Sequence, residues 1–268
     1  MLLETLVLVK WPLLGAVLAS LPLAYFGVFL LERRMVFVSV SLAQSALCGA
    51  SLAFFFGWEP RLVGLAVVGA VIAALALRSR DGRDALPEDA VLGILYVVLG
   101  GLSVIFLSKS AQGGLDEATL LFGSLLGVSP KDVAVLAAVC GLLLIGGLLL
   151  HKRFLAVAFD PETSRVLGLR VGLLELAFFS GLGALLAVSI GQIGVLLSFA
   201  YLVLPAACAR SLFRTTRGVF TAAGIVAVCG SAAGTLGSIR WDVPTGAAIC
   251  LALAVPLPFV LVLARRRA

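Results

Sequence analysis

The sequence predicts an all-α protein, a polytopic bundle of transmembrane helices with about nine spans. Of its 268 residues, 62% are hydrophobic and only 13% are charged, whereas soluble domains are roughly half apolar and a quarter charged. The mean hydropathy is +1.17. The apolar residues lie in long runs, several of them close to the roughly 20 residues that a helix needs to cross a bilayer. Too few polar residues remain to cover a water-soluble surface, so lipid must contact most of the outside.

Candidate spans follow one another along the whole chain. They cover residues 11–31, 35–56, 62–77, 90–108, 133–150, 172–190, 193–213, 218–238 and 244–263. Their unbroken apolar character favours helices, because the strands of a membrane barrel alternate. The first run is longer than the apolar core of a signal peptide, so we interpret it as a span. Only Gly191-Gln192 separates the sixth and seventh runs, where we expect a tight turn; a broken helix there would leave eight crossings.

The basic residues predict the orientation. With the N-terminus outside and nine crossings, the inner loops hold two, three, four and three Lys or Arg and the C-terminal tail holds three, which makes 15 of the 20. Cytoplasmic loops of membrane proteins carry such an excess. We therefore expect a single transmembrane domain over residues 1–268, with an outer N-terminus and a cytoplasmic C-terminus.

Several function classes have no support in the sequence. The chain has no phosphate-binding loop of the G-x-x-x-x-G-K-S/T type and no hydrolase or metalloprotease motif, so enzyme chemistry is not supported. The basic residues lie between apolar runs and form no nucleic-acid surface. We interpret the one histidine, His151, as an interfacial residue. Glu175 lies near the inner end of the sixth span, and we expect its side chain to extend to the interface.

The third inner loop predicts a short helix with a signal at each end. Asp160 suits an N-cap, Pro161 the first helical position and Glu162 the positive end of the helix dipole. Gly168 suits the C-terminal cap. A simple connection between two spans would not need both caps. The shape of such a helix suits docking into another protein.

Together with four further segments, this stretch resembles the permeases of ABC importers for zinc, manganese and iron. Residues 159–168 match the family's F-D-P-E-x-A-x-x-x-G pattern, with Ser164 where alanine is usual, and residues 194–210 match G-x-L-L…L-P-A-A-x-A-R. The others are residues 121–129 with Asp132, residues 88–95 and residues 244–247. Each segment is weak alone, but five in order along nearly the whole chain are strong.

The resemblance implies an inner-membrane permease that works by alternating access. It implies a second permease subunit, identical or not, a pair of cytoplasmic ATPases and an extracytoplasmic solute-binding protein. ATP would bind to the ATPases, and this chain would bind no cofactor. A coupling helix near residues 160–168 would contact the ATPase through six residues. They are Phe159, Asp160, Pro161, Glu162, Leu167 and Gly168.

One departure from the family concerns the substrate. The family has an Asp and a His four residues apart on the second span, where this chain has Val40 and Gln44. Residues at i and i+4 share a helix face, so we expect Val40, Gln44 and Cys48 to line the translocation path, and we assign no metal ligand. A divalent metal remains the expected substrate. The alternatives are a permease for a non-metal solute and a stand-alone secondary transporter, whose paired intramembrane acids or interrupted repeats are not evident here.

Overall fold

The structure is a computed structural model that describes residues 2–81, 87–110, 123 and 130–265. In these residues the chain forms twelve α-helices and no strand. The helices are α1 (Leu2–Glu32), α2 (Val36–Phe56), α3 (Pro60–Asp81), α4 (Glu88–Lys109), α5 (Pro130–Leu149), α6 (His151–Phe159), α7 (Pro161–Val166), α8 (Val171–Ile193), α9 (Val195–Leu212), α10 (Thr216–Trp241), α11 (Thr245–Ala254) and α12 (Pro256–Arg265). The predicted all-helical fold is confirmed.

The helices match the predicted apolar runs in order. Seven of them are long and apolar enough to cross a membrane, and two shorter apolar stretches, Pro60–Leu75 and Thr245–Val260, coincide with the third and ninth runs. Pro256 divides the last stretch between α11 and α12, because proline lacks the backbone N–H that would continue the helix. The number of crossings and their direction stay predictions. The segment of the family pattern at residues 121–129 lies outside the described residues, apart from Gly123.

The break between the sixth and seventh runs is not where the sequence suggested. Helix α8 continues through Gly191 and Gln192, and the chain turns at Gly194, with φ 79° and ψ 164°. The predicted turn at Gly191-Gln192 was therefore wrong. Gln192 remains helical while its side-chain amide donates to the carbonyl oxygen of Asp132 (3.0 Å), which anchors it to the start of α5.

Ion pairs show which helix ends lie together. At one end of the bundle, Glu32 of α1 pairs with Arg210 of α9 (3.0 Å), and the neighbouring Arg33 pairs with Glu175 of α8. The first turns of α8 and the last turn of α9 are therefore at the same end, so these two helices run in opposite directions. All four residues belong to the predicted inner side. We call this end the inner end.

The most buried helices, α1 and α2, form the centre of the bundle. Helix α1 packs on α9, α10 and α5, and α2 packs on α3, α4 and α8. One glycine on each of these two helices permits a close approach to a neighbouring backbone. A Cβ on Gly27 would lie 1.9 Å from the carbonyl oxygen of Leu202, and a Cβ on Gly49 would lie 2.6 Å from the Cα of Gly64. Small residues serve this purpose in membrane bundles because lipid supplies no hydrophobic force between helices.

Candidate functional site

The N-terminus of α7 has the predicted cap. Asp160 is extended, at φ −147° and ψ 90°, and its carboxylate accepts hydrogen bonds from the amide (2.9 Å) and the hydroxyl of Thr163. Pro161 occupies the first turn, where no N–H is required. The hydrogen bonds from Thr163 lower the pKa of the Asp160 carboxyl, since they favour its charged form. Asp160 therefore stays ionised and keeps the helix start in place.

The C-terminus of α7 closes in a Schellman motif. The amide of Leu169 donates to the carbonyl of Ser164 (3.0 Å), and the amide of Gly168 donates to the carbonyl of Arg165 (3.0 Å). Gly168 has a φ of +80°, which residues with a Cβ adopt only at a cost. Ser164 is buried, so this position needs a small side chain, as the alanine of the family pattern also provides. The capped helix predicted from the sequence is confirmed as local structure.

The exposed surface of this segment includes three large apolar side chains. Phe159, Val166 and Leu167 are 61%, 87% and 72% exposed. The charged residues Glu162 and Arg165 lie beside them and are exposed as well. Exposed apolar residues rimmed by charges mark sites of contact with other proteins. Of the six predicted coupling residues, the structure exposes five, and Pro161 is half-buried.

The predicted path residues lie on one face of α2. Val40 and Gln44 are half-buried and Cys48 is 5% exposed. This face meets α4: a Cβ on Gly100 would lie 3.2 Å from the Nε2 of Gln44, and α2 packs on α4. Gly100 therefore makes room for the Gln44 amide against the backbone of α4.

The Gln44 amide is the polar group on this face that needs an explanation. It has no hydrogen-bonding partner among the described residues, and the side chain is not fully enclosed. Leaving an amide unpaired in hydrocarbon costs several kcal/mol. The half-open amide is therefore suited to water or solute in a pathway, or to a second protein chain, and not to lipid.

The chemistry of this face differs from that of a metal site. Val40 offers no lone pair, so the face presents one neutral amide oxygen and one buried thiol. No group of three or more His, Cys, Asp or Glu side chains comes together within the described ranges. Hard and borderline divalent ions prefer carboxylate or imidazole ligands. The three side chains on this face therefore differ from the ligands that such ions prefer.

Two polar contacts at the inner end were not predicted. Glu175, whose side chain we expected to extend to the interface, pairs with Arg33. The Tyr25 hydroxyl donates to the carbonyl of Gly147 (2.8 Å) and lies 3.0 Å from Nδ1 of His151. Burial lowers the pKa of His151, which favours its neutral form. The sequence signal that could have predicted the Arg33–Glu175 pair is that an acid and a base lie at the same predicted depth in the membrane.

Comparisons with known proteins agree with this geometry. The chain is 26% identical over 239 residues to the manganese transport system membrane protein MntC of Halalkalibacterium halodurans, covering 89% of this chain and 81% of that one. It is 26% identical over 256 residues to the high-affinity zinc uptake system membrane protein ZnuB of Haemophilus influenzae, covering 95% and 96%. Its fold matches a chain of PsaBC from Streptococcus pneumoniae in complex with Fab, with a TM-score of 0.84 at 20% identity, over 94% of this chain and 90% of that one.

The family model described as the ABC 3 transport family matches residues 6–265, which is almost the whole sequence. The match includes both the capped segment at the inner end and the face of α2. The chain therefore belongs to the ABC 3 transport family, as a multi-pass membrane permease of an ABC importer.

Proposed function

We propose that this chain forms one half of the membrane pathway of an ATP-driven importer for a divalent metal ion, and that α7 is its docking helix for a cytoplasmic ATPase. The observation that carries the proposal is the capped helix α7 at the inner end, with the exposed apolar residue Val166 in its last turn and the exposed Phe159 and Leu167 flanking it. A helix that is fixed at both ends and flanked by exposed apolar residues binds a groove without first paying the entropy of folding.

The energy for transport would come from other subunits. The sequence has no phosphate-binding loop, so ATP hydrolysis belongs to a separate pair of ATPases. A second permease subunit completes the pathway, and an extracytoplasmic binding protein delivers the solute. Closing of the ATPases on ATP moves the docked helices, and the bundle alternates between two rigid-body arrangements. In this scheme the chain binds no cofactor of its own.

The metal assignment is supported by the names of the relatives, manganese for one and zinc for another. The face of α2 favours a second candidate, a non-metal solute, because Val40 and Gln44 provide neither a carboxylate nor an imidazole. On this face of α2, a passing cation would meet only the amide oxygen of Gln44 and the buried thiol of Cys48. Stronger ligands would then have to come from a non-identical second subunit.

Uptake by reconstituted vesicles tests the substrate. The complex of permease, ATPase and binding protein is assayed with radiolabelled manganese, zinc and iron. If a metal is carried, Val40→Asp combined with Gln44→His should increase metal occupancy, and Gln44→Ala should alter transport. Thr221→Ala is the control, because Thr221 is an exposed residue of α10 that bonds only to its own helix backbone. If no metal is taken up and neither α2 variant has an effect, the substrate is not a metal.

A further inference from the structure

The docking helix α7 is attached to the rest of the bundle through its neighbours in sequence. It packs on α6, which precedes it, and on α8, which follows it. Any force that an ATPase applies to α7 therefore enters the membrane domain through these two helices. The contacts of α6 and α8 with other helices therefore determine which part of the bundle moves with α7.

Both neighbours pack on the inner end of α1 through aromatic rings. Phe154 of α6 and Phe178 of α8 contact Phe29 of α1, with ring centroids 6.1 and 5.7 Å apart, and contact each other at 5.6 Å. All three pairs meet edge to face, which is a favoured geometry for aromatic rings. The segment α6–α7–α8 thus holds the last turns of α1 from two sides.

An ion pair lies directly beside this aromatic cluster. Arg33, at the end of α1, donates through Nη2 to Oε1 of Glu175 on α8. The side chains are only 14% and 33% exposed, and they border a narrow cleft together with Phe29, Phe154 and Phe178. A charge-assisted hydrogen bond in such a low-dielectric setting is stronger and more directional than a surface pair. Aromatic contacts can slide, but this pair fixes the end of α1 relative to α8.

The turn after Arg33 is a short, hydrogen-bonded connection between α1 and α2. Arg34 has a φ of 57°, the amide of Met35 donates to the carbonyl of Leu30 (2.9 Å), and the amide of Arg34 donates to the carbonyl of Leu31 (3.1 Å). These bonds close a Schellman turn between α1 and α2. Helix α2 begins at Val36, and from Val36 to Val40 it rises only about 6 Å. A displacement of Arg33 is therefore passed on to the pathway face of α2.

We propose that the Arg33–Glu175 ion pair is the positioning contact through which movement of the docked segment α6–α7–α8 reaches α2. This inference rests on the proposed docking of α7 to an ATPase. It gives a role to Glu175, an acid within a membrane helix, and acids in such places are usually retained for function. Neither residue is expected to touch the solute.

The test uses the full complex of permease, ATPase and binding protein in vesicles. Glu175→Gln removes the charge while keeping the size of the side chain. The number of manganese or zinc ions imported per ATP hydrolysed should fall by at least about fivefold, the low end of typical coupling between two sites. Hydrolysis should continue and no longer depend on the binding protein. Exchanging the pair, as Arg33→Glu with Glu175→Arg, should restore most of the ratio, which a purely structural role would not predict.

A matched control is present at the same end of the bundle. Glu32→Gln breaks the neighbouring pair with Arg210 of α9, a helix that does not flank α7. Its ratio of ions to ATP should stay close to that of the parent. The inference is overturned if Glu32→Gln and Glu175→Gln lower the ratio equally, if Glu175→Gln has no effect, or if the exchanged pair gives no recovery.

A crosslink separates this inference from the proposed function. A cysteine in place of the exposed Thr163 of α7 should crosslink to the ATPase in both the parent and the Glu175→Gln variant. Loss of that crosslink in the parent would overturn the docking proposal and this inference with it. A retained crosslink with an unchanged ratio would overturn the ion-pair role alone. If the parent imports neither ion, the test is whether ATP hydrolysis depends on the binding protein. The inference predicts that this dependence is present in the parent and lost in Glu175→Gln, and equal dependence in both would overturn it.

Discussion

Replacing Gly168 tests the docking helix through its backbone alone. Gly168 has a φ of +80°, and an added Cβ would meet no atom within 4 Å. Alanine there creates no clash, so its cost is the left-handed conformation, about 1–2 kcal/mol. Since 1.4 kcal/mol is a factor of about ten in an equilibrium constant, Gly168→Ala should weaken ATPase binding by about five- to thirtyfold. Gly168→Arg adds bulk and charge and should uncouple ATP hydrolysis from transport.

Gly172 provides the matched control for Gly168. It is also exposed, and an added Cβ would again meet no atom within 4 Å, but it lies inside α8 with an ordinary helical backbone. Alanine at Gly172 should leave binding unchanged and stabilise the helix by up to about 1 kcal/mol. Binding is measured between purified permease in nanodiscs and its ATPase, and the thermal unfolding of the permease is followed in parallel. The reasoning fails if Gly168→Ala and Gly172→Ala bind alike, or if ATPase crosslinks form only outside α7.

Three further predictions concern topology, packing and pH. A cysteine in place of Lys109 should be labelled from outside the cell and one in place of Arg217 should not; labelling of the latter would refute the orientation. Gly27→Ala puts a Cβ 1.9 Å from a carbonyl oxygen of α9, so it should lower stability by about 1–3 kcal/mol or more, whereas Gly93→Ala, which meets nothing, should not; equal melting temperatures would contradict this. The pKa of Asp160 is lower in the folded protein than in the unfolded chain, where it is about 4. The stabilisation of α7 by Asp160 is therefore complete above the unfolded pKa and is lost as the pH falls through the folded pKa. Hydrogen exchange of α7, corrected for its intrinsic pH dependence, should therefore rise only under acid conditions, and Asp160→Asn should abolish that step.

Local signals in the sequence predicted the helices and the caps of α7 well. Unbroken apolar runs near the length of a bilayer predict helices, because a helix satisfies all of its backbone hydrogen bonds within one segment in lipid. The caps were predictable because Asp160, Pro161 and Gly168 act on their immediate neighbours in the sequence. The junction of α8 and α9 was misplaced because Gly191-Gln192 has the composition of a turn. The helix continues there, since Gln192 finds a partner on α5. That partner is 60 residues away, and no local pattern reports it.

The contacts of the candidate site were less predictable than its elements. A hydropathy pattern gives the depth of a residue in the membrane, but it does not give the neighbour towards which the residue turns. Glu175 and Arg33 were both expected at the inner side, yet their pairing depends on how α1 and α8 are rotated about their axes. The contact of Gln44 with Gly100 on α4 depends on the same rotation. Such details follow from tertiary packing, which the spacing of single residues does not determine.

The proposed coupling contact at the inner end and the proposed pathway face of α2 place different demands on the chain. At the inner end Arg33 pairs with Glu175 and Glu32 with Arg210, and the proposed coupling through the first pair does not require contact with the solute. The face of α2 is neutral, so a divalent ion crossing there gains no carboxylate attraction from this subunit. In a homodimer both faces would be neutral and the pathway would suit a weakly held or uncharged solute. In a heterodimer, one carboxylate and one imidazole on the partner's equivalent helix would suffice for a metal. Under the proposed function, the second permease subunit therefore contributes to the choice of substrate, and the proposed Arg33–Glu175 coupling would serve either case.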